Sequence, residues 1–284
     1  MSKILVTGGA GFIGTNLIEL LVKKGHSVTS VDNYDSGFTT NHIKDVTYID
    51  YDIIDVLDYS AWGEFEVIFH LGAISRIQPS FEDPSTTFKV NVLGTQNICE
   101  YARKHNCKVI YAGSSSKHHD PYQSPYAAYK YLGEEVCKLY KTTYGLDAEI
   151  ARFYNVYGPG EIVDGDWAAV IGIWRRQSRD NELLTIVGDG EQRRDFTHVC
   201  DIVDGFYKIA FGDEKHDDAW ELGSGVNYSM NEVYKMFHNK FNVGCLYIPE
   251  QPGNYKSTLR LDDDALTRLN WKPKDRLKKY INEL

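Results

Sequence analysis

Tyr126 and Lys130 are the pair of side chains in this sequence with the clearest capacity for chemistry. They lie four residues apart in the run Ser124-Pro125-Tyr126-Ala127-Ala128-Tyr129-Lys130, so on a helix both leave the same face one turn apart. An ammonium beside a phenol favours the phenolate and lowers the pKa of the tyrosine toward working pH. The pair is therefore a candidate proton-transfer site, although the same spacing also occurs on solvated helices.

A glycine-rich loop near the N-terminus gives this pair a context. Gly8, Gly11 and Gly14 fall at G-x-x-G-x-x-G spacing, between an apolar run (Ile4 to Val6) and a segment with helical leucine spacing (Asn16 to Lys24). In a strand–turn–helix unit the first glycine permits the turn, the middle one admits a pyrophosphate, and the third allows close packing. Amides at the helix N-terminus then bind the phosphates. A glycine-rich turn without a ligand is the alternative.

Asp32 predicts which dinucleotide is bound. A second strand, Ser27 to Val31, delivers Asp32 eighteen residues after Gly14. A carboxylate there accepts both ribose hydroxyls of NAD and repels the 2′-phosphate of NADP. The next residues, Asn33-Tyr34-Asp35, include no Arg or Lys, which also favours NAD. The alternative is a solvated aspartate at a strand end.

The rest of the chain alternates strands and helices, which predicts an α/β fold with a Rossmann-type doubly wound parallel sheet. We expect an NAD-binding Rossmann domain over residues 1–155, completed by parts of 187–212. A smaller C-terminal substrate-binding lobe would occupy 156–284, mainly 156–186 and 213–284. The predicted strands are Val46 to Tyr51, Val67 to His70, Lys108 to Tyr111 and Ala148 to Phe153, and the predicted helices are Pro84 to His105 and Tyr126 to Tyr144.

The composition excludes several classes of protein. The chain has 284 residues, 42% of them hydrophobic, which is enough for a large core. A net charge of −9 without Lys/Arg runs disfavours a nucleic-acid partner. No apolar stretch approaches the ~20 residues that span a bilayer, so no membrane partner is expected. The first residues predict a strand, so an export signal is not expected. Five scattered cysteines without C-x-x-C predict reduced thiols in a cytoplasmic protein. No zinc spacing occurs, and no metal is expected.

A series of motifs in a fixed order carries a family resemblance. Over essentially its whole length the chain resembles the extended short-chain dehydrogenase/reductases, specifically the NAD-dependent nucleotide-sugar epimerase/dehydratase group of the UDP-glucose 4-epimerase type. The matching elements are Thr7 to Gly14, Asp32, Asp52-Ile53, His70-Leu71-Gly72-Ala73, Asn91, Ser114-Ser115-Ser116, Tyr126-x-x-x-Lys130, Arg152 to Pro159, Gly188 to Phe196 and Leu269-Asn270-Trp271.

The resemblance implies NAD-dependent epimerisation of a nucleotide-activated hexose, at C4 of a UDP-sugar, through a transient 4-keto sugar. Tyr126 would be the catalytic acid and base, and Lys130 would bind the nicotinamide ribose. Ser114 would hydrogen-bond the reacting sugar oxygen, with Ser115 as the second choice. Another nucleotide-sugar enzyme of this fold (a reductase, a 3,5- or 6-position epimerase, or a dehydratase) is the alternative. A non-catalytic NAD-binding scaffold is a third possibility.

The resemblance also implies the binding residues. Asp52 would bond the adenine amino group with Ile53 against the ring, and Arg194 would bind the substrate diphosphate, a role suited to a guanidinium fork. The predicted cofactor-binding residues are Gly8, Gly11, Phe12, Ile13, Gly14, Asp32, Asn33, Asp52, Ile53, Leu71, Gly72, Ala73, Asn91, Tyr126, Lys130 and Tyr154. The predicted substrate-binding residues are Ser115, Asn155, Arg194, Lys256 and Thr258.

Two departures from the family pattern and one position of the sugar pocket bear on the reaction and its substrate. Ser114-Ser115-Ser116 replaces the Thr-Asp-Glu of the 4,6-dehydratases, so dehydration is disfavoured. Gln251 replaces a second diphosphate arginine, which leaves Lys256 and Arg260 as candidate cations. The small side chain of Thr258, where related 4-epimerases place a residue that borders the C2 substituent, leaves room for an N-acetyl group.

Two helices carry more apolar residues than one sheet-facing stripe requires. They are the predicted helices from Pro84 and from Tyr126. The first carries Phe88, Val92, Ile98 and Tyr101 at helical spacing, and the second carries Tyr129, Leu132, Val136, Leu139 and Tyr140. Family resemblance implies that they pair with their symmetry mates in a four-helix bundle, which gives a homodimer. The alternative is a monomer in which these residues are core or isolated surface contacts.

Overall fold

Seven parallel strands form the central sheet of the computed structural model, which describes residues 1–55 and 62–284. The strands of the chain are β1 Lys3–Thr7, β2 Ser27–Asp32, β3 Thr47–Asp50, β4 Val67–His70, β5 Lys108–Ser114, β6 Ala148–Phe153, β7 Asn155–Tyr157, β8 Leu184–Val187, β9 Arg193–His198, β10 Trp220–Leu222, β11 Asn227–Ser229 and β12 Cys245–Ile248. The order in the central sheet is β10-β6-β5-β4-β1-β2-β3, which confirms the predicted doubly wound α/β fold.

Helices cover both faces of this sheet. They are α1 Phe12–Lys23, α2 Ile77–Glu82, α3 Pro84–Phe88, α4 Thr95–His105, α5 Pro125–Tyr144, α6 Val170–Arg179, α7 Val199–Phe211, α8 Met230–Phe241, α9 Asp264–Arg268 and α10 Leu277–Glu283. The predicted helix Pro84 to His105 is interrupted, because residues Lys89–Gly94 form π-helical turns between α3 and α4.

The period-two alternation of each strand distributes its side chains between two cores. Ile4 of β1 packs in one core with Leu17 of α1 and Phe206 of α7. Leu5 packs in the core on the opposite face, with Ile98 of α4. Both faces of β1 are therefore buried, which explains why Ile4-Leu5-Val6 is a continuous apolar run.

Two smaller sheets lie outside the central one. Strands β11, β9 and β7 form a three-stranded sheet, and β12 pairs with β8. A third core unites them with α6, α8 and α10 through Trp174, Phe196, Phe237 and Leu277. The division of the chain into two domains stays a prediction. Strand β10, which falls in the range assigned to the C-terminal lobe, is a strand of the central sheet.

The N-terminal end of α5 is defined by its sequence. The Ser124 side chain accepts a hydrogen bond from the backbone N–H of Ala127, and Pro125 occupies the first helical turn. Gly145, with φ +68°, ends the helix. A Cβ at Gly133 would lie 2.3 Å from the Tyr111 hydroxyl, so glycine there lets α5 lie close against β5. This close approach brings Tyr126 and Lys130 to the end of the central sheet.

Candidate active site

A cavity of about 890 Å³ opens at the carboxyl ends of the central strands, where ligands of doubly wound sheets bind. It is lined by residues that follow β1, β2, β3, β4 and β5, and by residues of the smaller sheets. The predicted residues among them are Gly8, Gly11, Phe12, Ile13, Gly14, Asp32, Asn33, Asp52, Ile53, Leu71, Gly72, Ala73, Ser114, Ser115, Tyr126, Lys130, Tyr154, Asn155, Arg194 and Thr258.

The glycine loop has the geometry of a phosphate cradle. A Cβ at Gly14 would lie 2.2 Å from the Gly8 carbonyl oxygen, and one at Gly8 would lie 2.8 Å from the Gly72 amide nitrogen. At Gly11 the nearest atom to such a Cβ is 3.4 Å away, and the residue lines the cavity. Helix α1 starts immediately afterwards without a side-chain cap. Its first-turn N–H groups therefore suit a pyrophosphate.

Asp32 lies at the end of β2 and is buried in the cavity wall. Its carboxylate accepts hydrogen bonds from the backbone N–H groups of Ala10 (2.8 Å) and Tyr34 (2.9 Å). Burial raises its pKa from the ordinary value. Each carboxylate oxygen keeps a lone pair for a ribose hydroxyl. Asn33 donates to Asp52 at 2.9 Å, so the residues predicted for the adenosine end are brought together.

Ser114, Tyr126 and Lys130 meet at the end of β5. The Tyr126 hydroxyl donates to Ser114 Oγ at 3.2 Å, and Ser116 Oγ donates to the same oxygen at 2.9 Å. The Lys130 ammonium donates to the Ala112 carbonyl oxygen at 2.6 Å and lies 4.3 Å from the centre of the Tyr111 ring. The hydroxyl of the serine run that Tyr126 contacts is thus that of Ser114.

The pKa of Tyr126 departs from the expectation. Burial raises it above the ordinary value, although the hydrogen bond with Ser114 and the positive charge of Arg76 oppose that effect. The prediction of a lowered pKa in the protein itself is therefore wrong. The reason is that desolvation of the phenolate outweighs the favourable contacts. Burial also lowers the pKa of Lys130 to about 8, with Glu134 acting in the opposite direction.

A buried ionic network lies behind the site. Arg152 of β6 bonds Glu134 of α5 at 2.9 Å and Glu221 of β10 at 3.0 Å. Glu221 also accepts from the Tyr154 hydroxyl at 2.7 Å and contacts His118 Nε2 at 2.8 Å. The network ties the serine turn and Tyr154 to the sheet. Because its members are distant in sequence, the sequence analysis missed Glu134 and Glu221.

Arg194, Asn155 and Thr258 line the cavity from the three-stranded sheet and from the segment bonded to it. The guanidinium of Arg194 donates to the Tyr255 carbonyl oxygen at 2.7 Å and to Asn254 Oδ1 at 3.0 Å. Burial lowers its pKa to about 10. Thr258 Oγ1 lies 3.4 Å from Asn155 Oδ1 and accepts from the Asp195 amide at 3.2 Å. Thr258 is buried and lines the cavity, and its place beside the sugar stays a prediction.

Two predicted residues do not reach the cavity. Asn91 is buried, and its side chain exchanges two hydrogen bonds with the backbone of Ile74, at 2.8 and 3.0 Å. It holds the loop after β4 and does not line the cavity. Lys256 is exposed and also lies outside the lining. The candidate cation Arg260 is held by the Gly223 carbonyl oxygen at 2.7 Å and by Asp263.

The sequence analysis also missed a cation that does line the cavity. Arg76 follows the Leu71-Gly72-Ala73 segment at the carboxyl end of β4. Its position in the loop between β4 and α2 was the available signal, because loops at the carboxyl ends of parallel strands face the ligands of the sheet. Across residues 1–55 and 62–284, no group of three or more His, Cys, Asp or Glu side chains could hold a metal ion. In the same residues, no helix has the length and apolar character needed to cross a membrane.

The fold and the cavity together define a class of protein, a Rossmann-fold enzyme with a dinucleotide cradle and a Ser–Tyr–Lys site. The chain belongs to the NAD dependent epimerase/dehydratase family, whose model matches residues 4–223. The resemblance inferred from the motifs is therefore confirmed, and NAD is the cofactor. The chemistry of the family is the modification of nucleotide sugars.

The names of individual relatives describe different reactions. The chain is 32% identical over 299 residues to a putative UDP-glucose 4-epimerase of Methanocaldococcus jannaschii, covering 99% of this chain and 96% of the relative. It is 36% identical over 258 residues to a UDP-N-acetyl-alpha-D-glucosaminuronate decarboxylase of Bacillus cytotoxicus, covering 83% and 79%. The crystal structure of UDP-glucose 4-epimerase from Thermotoga maritima with UDP-glucose has a TM-score of 0.90 and 26% identity, covering 99% and 96%.

Proposed function

We propose that the protein interconverts the C4 epimers of a UDP-hexose through a transient 4-keto sugar. The observation that carries the proposal is the 3.2 Å hydrogen bond between the Tyr126 hydroxyl and Ser114 Oγ. This bond lies in the same cavity as the glycine cradle and Asp32. A proton-transfer group and a hydroxyl that can hold one sugar oxygen thus share the space with the dinucleotide site.

Each side chain has a distinct task in this proposal. The phenolic oxygen of Tyr126 takes the proton of the C4 hydroxyl and returns it to the same oxygen when the sugar is reduced. Ser114 donates a hydrogen bond to that oxygen. Lys130 binds the nicotinamide ribose, and its charge favours the phenolate of Tyr126 during proton transfer. NAD supplies the group that accepts a hydride from C4 and gives it back.

The burial of Tyr126 affects the two proton transfers differently. Burial disfavours the phenolate, which helps Tyr126 return the proton to the 4-keto oxygen but opposes the first step, in which the phenolate takes the proton of the C4 hydroxyl. To act as a base it needs positive charge close by, and Lys130 and Arg76 are the cations on its side of the cavity.

The turn after Ser114 favours epimerisation over dehydration. Elimination of water from the sugar needs an acid near C6, whereas this turn continues with Ser115 and Ser116. The UDP-glucose in the Thermotoga maritima structure and the name of the Methanocaldococcus relative support a uridine nucleotide and a 4-epimerase reaction.

The proposal is tested by incubating the NAD-loaded protein with a panel of UDP-, GDP-, dTDP- and ADP-sugars and identifying the products by NMR. We expect a mixture of C4 epimers from a UDP-sugar, with no steady accumulation of NADH. A 4-keto-6-deoxy product or a stoichiometric yield of NADH would contradict the proposal. The Tyr126→Phe protein is the matched control, since it removes one hydroxyl group only.

A further inference from the structure

Arg76 is a cation in the cavity wall to which the proposed reaction gives no binding role. It precedes α2, and its side chain is only partly exposed. Its Nε donates to the Trp167 carbonyl oxygen at 2.7 Å, and its Nη1 donates to the Ser75 carbonyl oxygen at 3.1 Å. These two backbone contacts orient the guanidinium but do not neutralise its charge.

No carboxylate pairs with Arg76 in the part of the chain that the structure describes. The acidic residue whose charge acts on it is Glu161, and Glu161 Oε1 is already bonded to Arg175 at 3.0 Å and to the Tyr280 hydroxyl at 2.9 Å. Nη2 and the second hydrogen of Nη1 have no acceptor among the described residues. A sheltered guanidinium with free N–H groups lowers the stability of the folded protein unless an anion binds to it.

The position of Arg76 along the cavity indicates which part of a ligand it faces. Helix α2 begins directly after Arg76 and lies against the start of α5, where the backbone N–H of Tyr126 donates to Ser80 Oγ at 3.0 Å. The positive charge of Arg76 also acts on the Tyr126 hydroxyl, which in the proposed reaction marks C4 of the sugar. Arg194 lies on β9 of the three-stranded sheet and is bonded to Asn254 and to the Tyr255 backbone. Arg76 is therefore associated with the sugar end of the cavity, and Arg194 is the candidate for the diphosphate end.

We propose that Arg76 binds a carboxylate at C6 of the sugar, so that the substrate is a nucleotide-linked hexuronic acid. In a hexopyranose, C6 is attached to C5, the neighbour of C4, and a C6 carboxylate can therefore lie close to a C4 oxygen held at Tyr126. The free edge of the guanidinium, Nη1 and Nη2, matches the two oxygens of a carboxylate. This inference rests on the proposed function for the orientation of the sugar.

The test is a binding measurement on NAD-loaded protein that carries Tyr126→Phe to stop turnover. UDP, UDP-glucose and UDP-glucuronate are each titrated by calorimetry into two proteins, one that retains Arg76 and one that also carries Arg76→Gln. We expect UDP-glucuronate to bind at least tenfold tighter than UDP-glucose when Arg76 is present. Arg76→Gln removes one partner of a sheltered charge pair, so we expect the Kd for UDP-glucuronate to rise by about 30-fold or more. The Kd values for UDP and UDP-glucose should change by less than about threefold.

Two further variants distinguish the role of the charge of Arg76 from that of its planar guanidinium, and from the effect of removing any arginine. Arg76→Lys keeps the charge but loses the planar fork, so we expect an affinity for UDP-glucuronate between those of Arg76 and Arg76→Gln. Arg176→Gln is the matched control, because Arg176 bonds Glu182 at 2.8 Å outside the cavity lining. It should leave all three affinities unchanged.

Three results would overturn the inference. Equal affinities for UDP-glucose and UDP-glucuronate with Arg76 present would show that no carboxylate is bound. If Arg76→Gln weakened the binding of UDP as much as that of UDP-glucuronate, Arg76 would be assigned to the diphosphate. If the variant lost its bound NAD, Arg76 would be assigned to the cofactor. Because binding is measured without turnover, a preference for UDP-glucuronate would support the inference even if product analysis refuted epimerisation.

Discussion

Burial of Lys130 is predicted to lower the free energy of unfolding of the protein at neutral pH. Its side chain is 5% exposed, and burial lowers its pKa to about 8 from an ordinary value of 10.5. A lowered pKa in the folded state means that the unfolded chain binds the proton more tightly. This difference of about 2.5 pH units, at 1.36 kcal/mol per unit, corresponds to a cost of about 3 kcal/mol at neutral pH.

The sign of the pH dependence follows from the same values. Below pH 8 the ammonium is charged in both states and the full cost is present. Between pH 8 and 10.5 the folded protein holds a neutral amine while the unfolded chain stays protonated. The contribution of Lys130 to the free energy of unfolding therefore rises with pH across that window, by about 2 kcal/mol between pH 8 and 9.5.

The assay is urea denaturation of the wild type and of Lys130→Met between pH 7 and 9.5. Because other lysines and tyrosines also titrate in this range, the quantity that matters is the difference between the two proteins. Lys130→Met should be the more stable protein at pH 7, and its advantage should shrink as the pH rises. A difference that does not depend on pH would refute the burial argument. NAD affinity should fall in the same variant.

Three further predictions concern specificity and assembly. Asp32→Ala should narrow the difference in affinity between NAD and NADP measured by calorimetry, and tighter binding of NADP by the wild type would contradict the role of Asp32. Thr258→Tyr should lower kcat/KM for UDP-N-acetylgalactosamine relative to UDP-galactose, and an unchanged ratio would show that Thr258 does not border the C2 substituent. Leu132 and Leu139 of α5 remain exposed, so light scattering should give the mass of a dimer for the wild type and of a monomer for Leu139→Glu. A monomeric wild type would refute the predicted bundle.

Local sequence patterns were sufficient for the fold and for the identity of the cofactor. Gly8 and Gly14 mark a turn that excludes larger side chains for steric reasons within one βα unit. A Cβ at Gly14 would lie only 2.2 Å from the Gly8 carbonyl oxygen. The strands Val67 to His70 and Ala148 to Phe153 were predicted with the observed bounds. Val67 to Phe69 is an apolar run, as expected of a strand buried on both faces, whereas the second strand also contains Glu149 and Arg152. The predicted dimer helices also contain Ile98 and Tyr101, which turn out to be core.

The features that were missed depend on contacts between distant segments. The pKa of Tyr126 follows from its burial against several elements, which the four-residue spacing to Lys130 does not reveal. The network of Arg152 joins α5, β6 and β10. The end of β5 was placed at Tyr111, whereas the strand continues to Ser114, because glycine and serine have low strand propensity and pairing with β6 overrides it.

Substrate-end residues were the hardest to assign. Lys256 was chosen as the nearest cation in sequence to Gln251, but side chains near a loop in sequence need not face the same cavity. Arg76 comes from a different loop. The segment 251–254 contacts the helix that follows Arg76, with Gln78 Nε2 donating to the Pro252 carbonyl oxygen at 3.0 Å. Only the tertiary structure brings these two segments together.

The most direct test of the proposed chemistry is the rate of C4 epimer formation by NAD-loaded Tyr126→Phe relative to the wild type, measured by NMR with UDP-glucose and with UDP-glucuronate. The proposed mechanism predicts a loss of about 10²- to 10⁴-fold, the usual contribution of a positioned acid and base. Bound NAD and the melting temperature should be unchanged, since only one hydroxyl is removed. Near-normal formation of the C4 epimer by Tyr126→Phe would contradict the assignment of proton transfer to Tyr126.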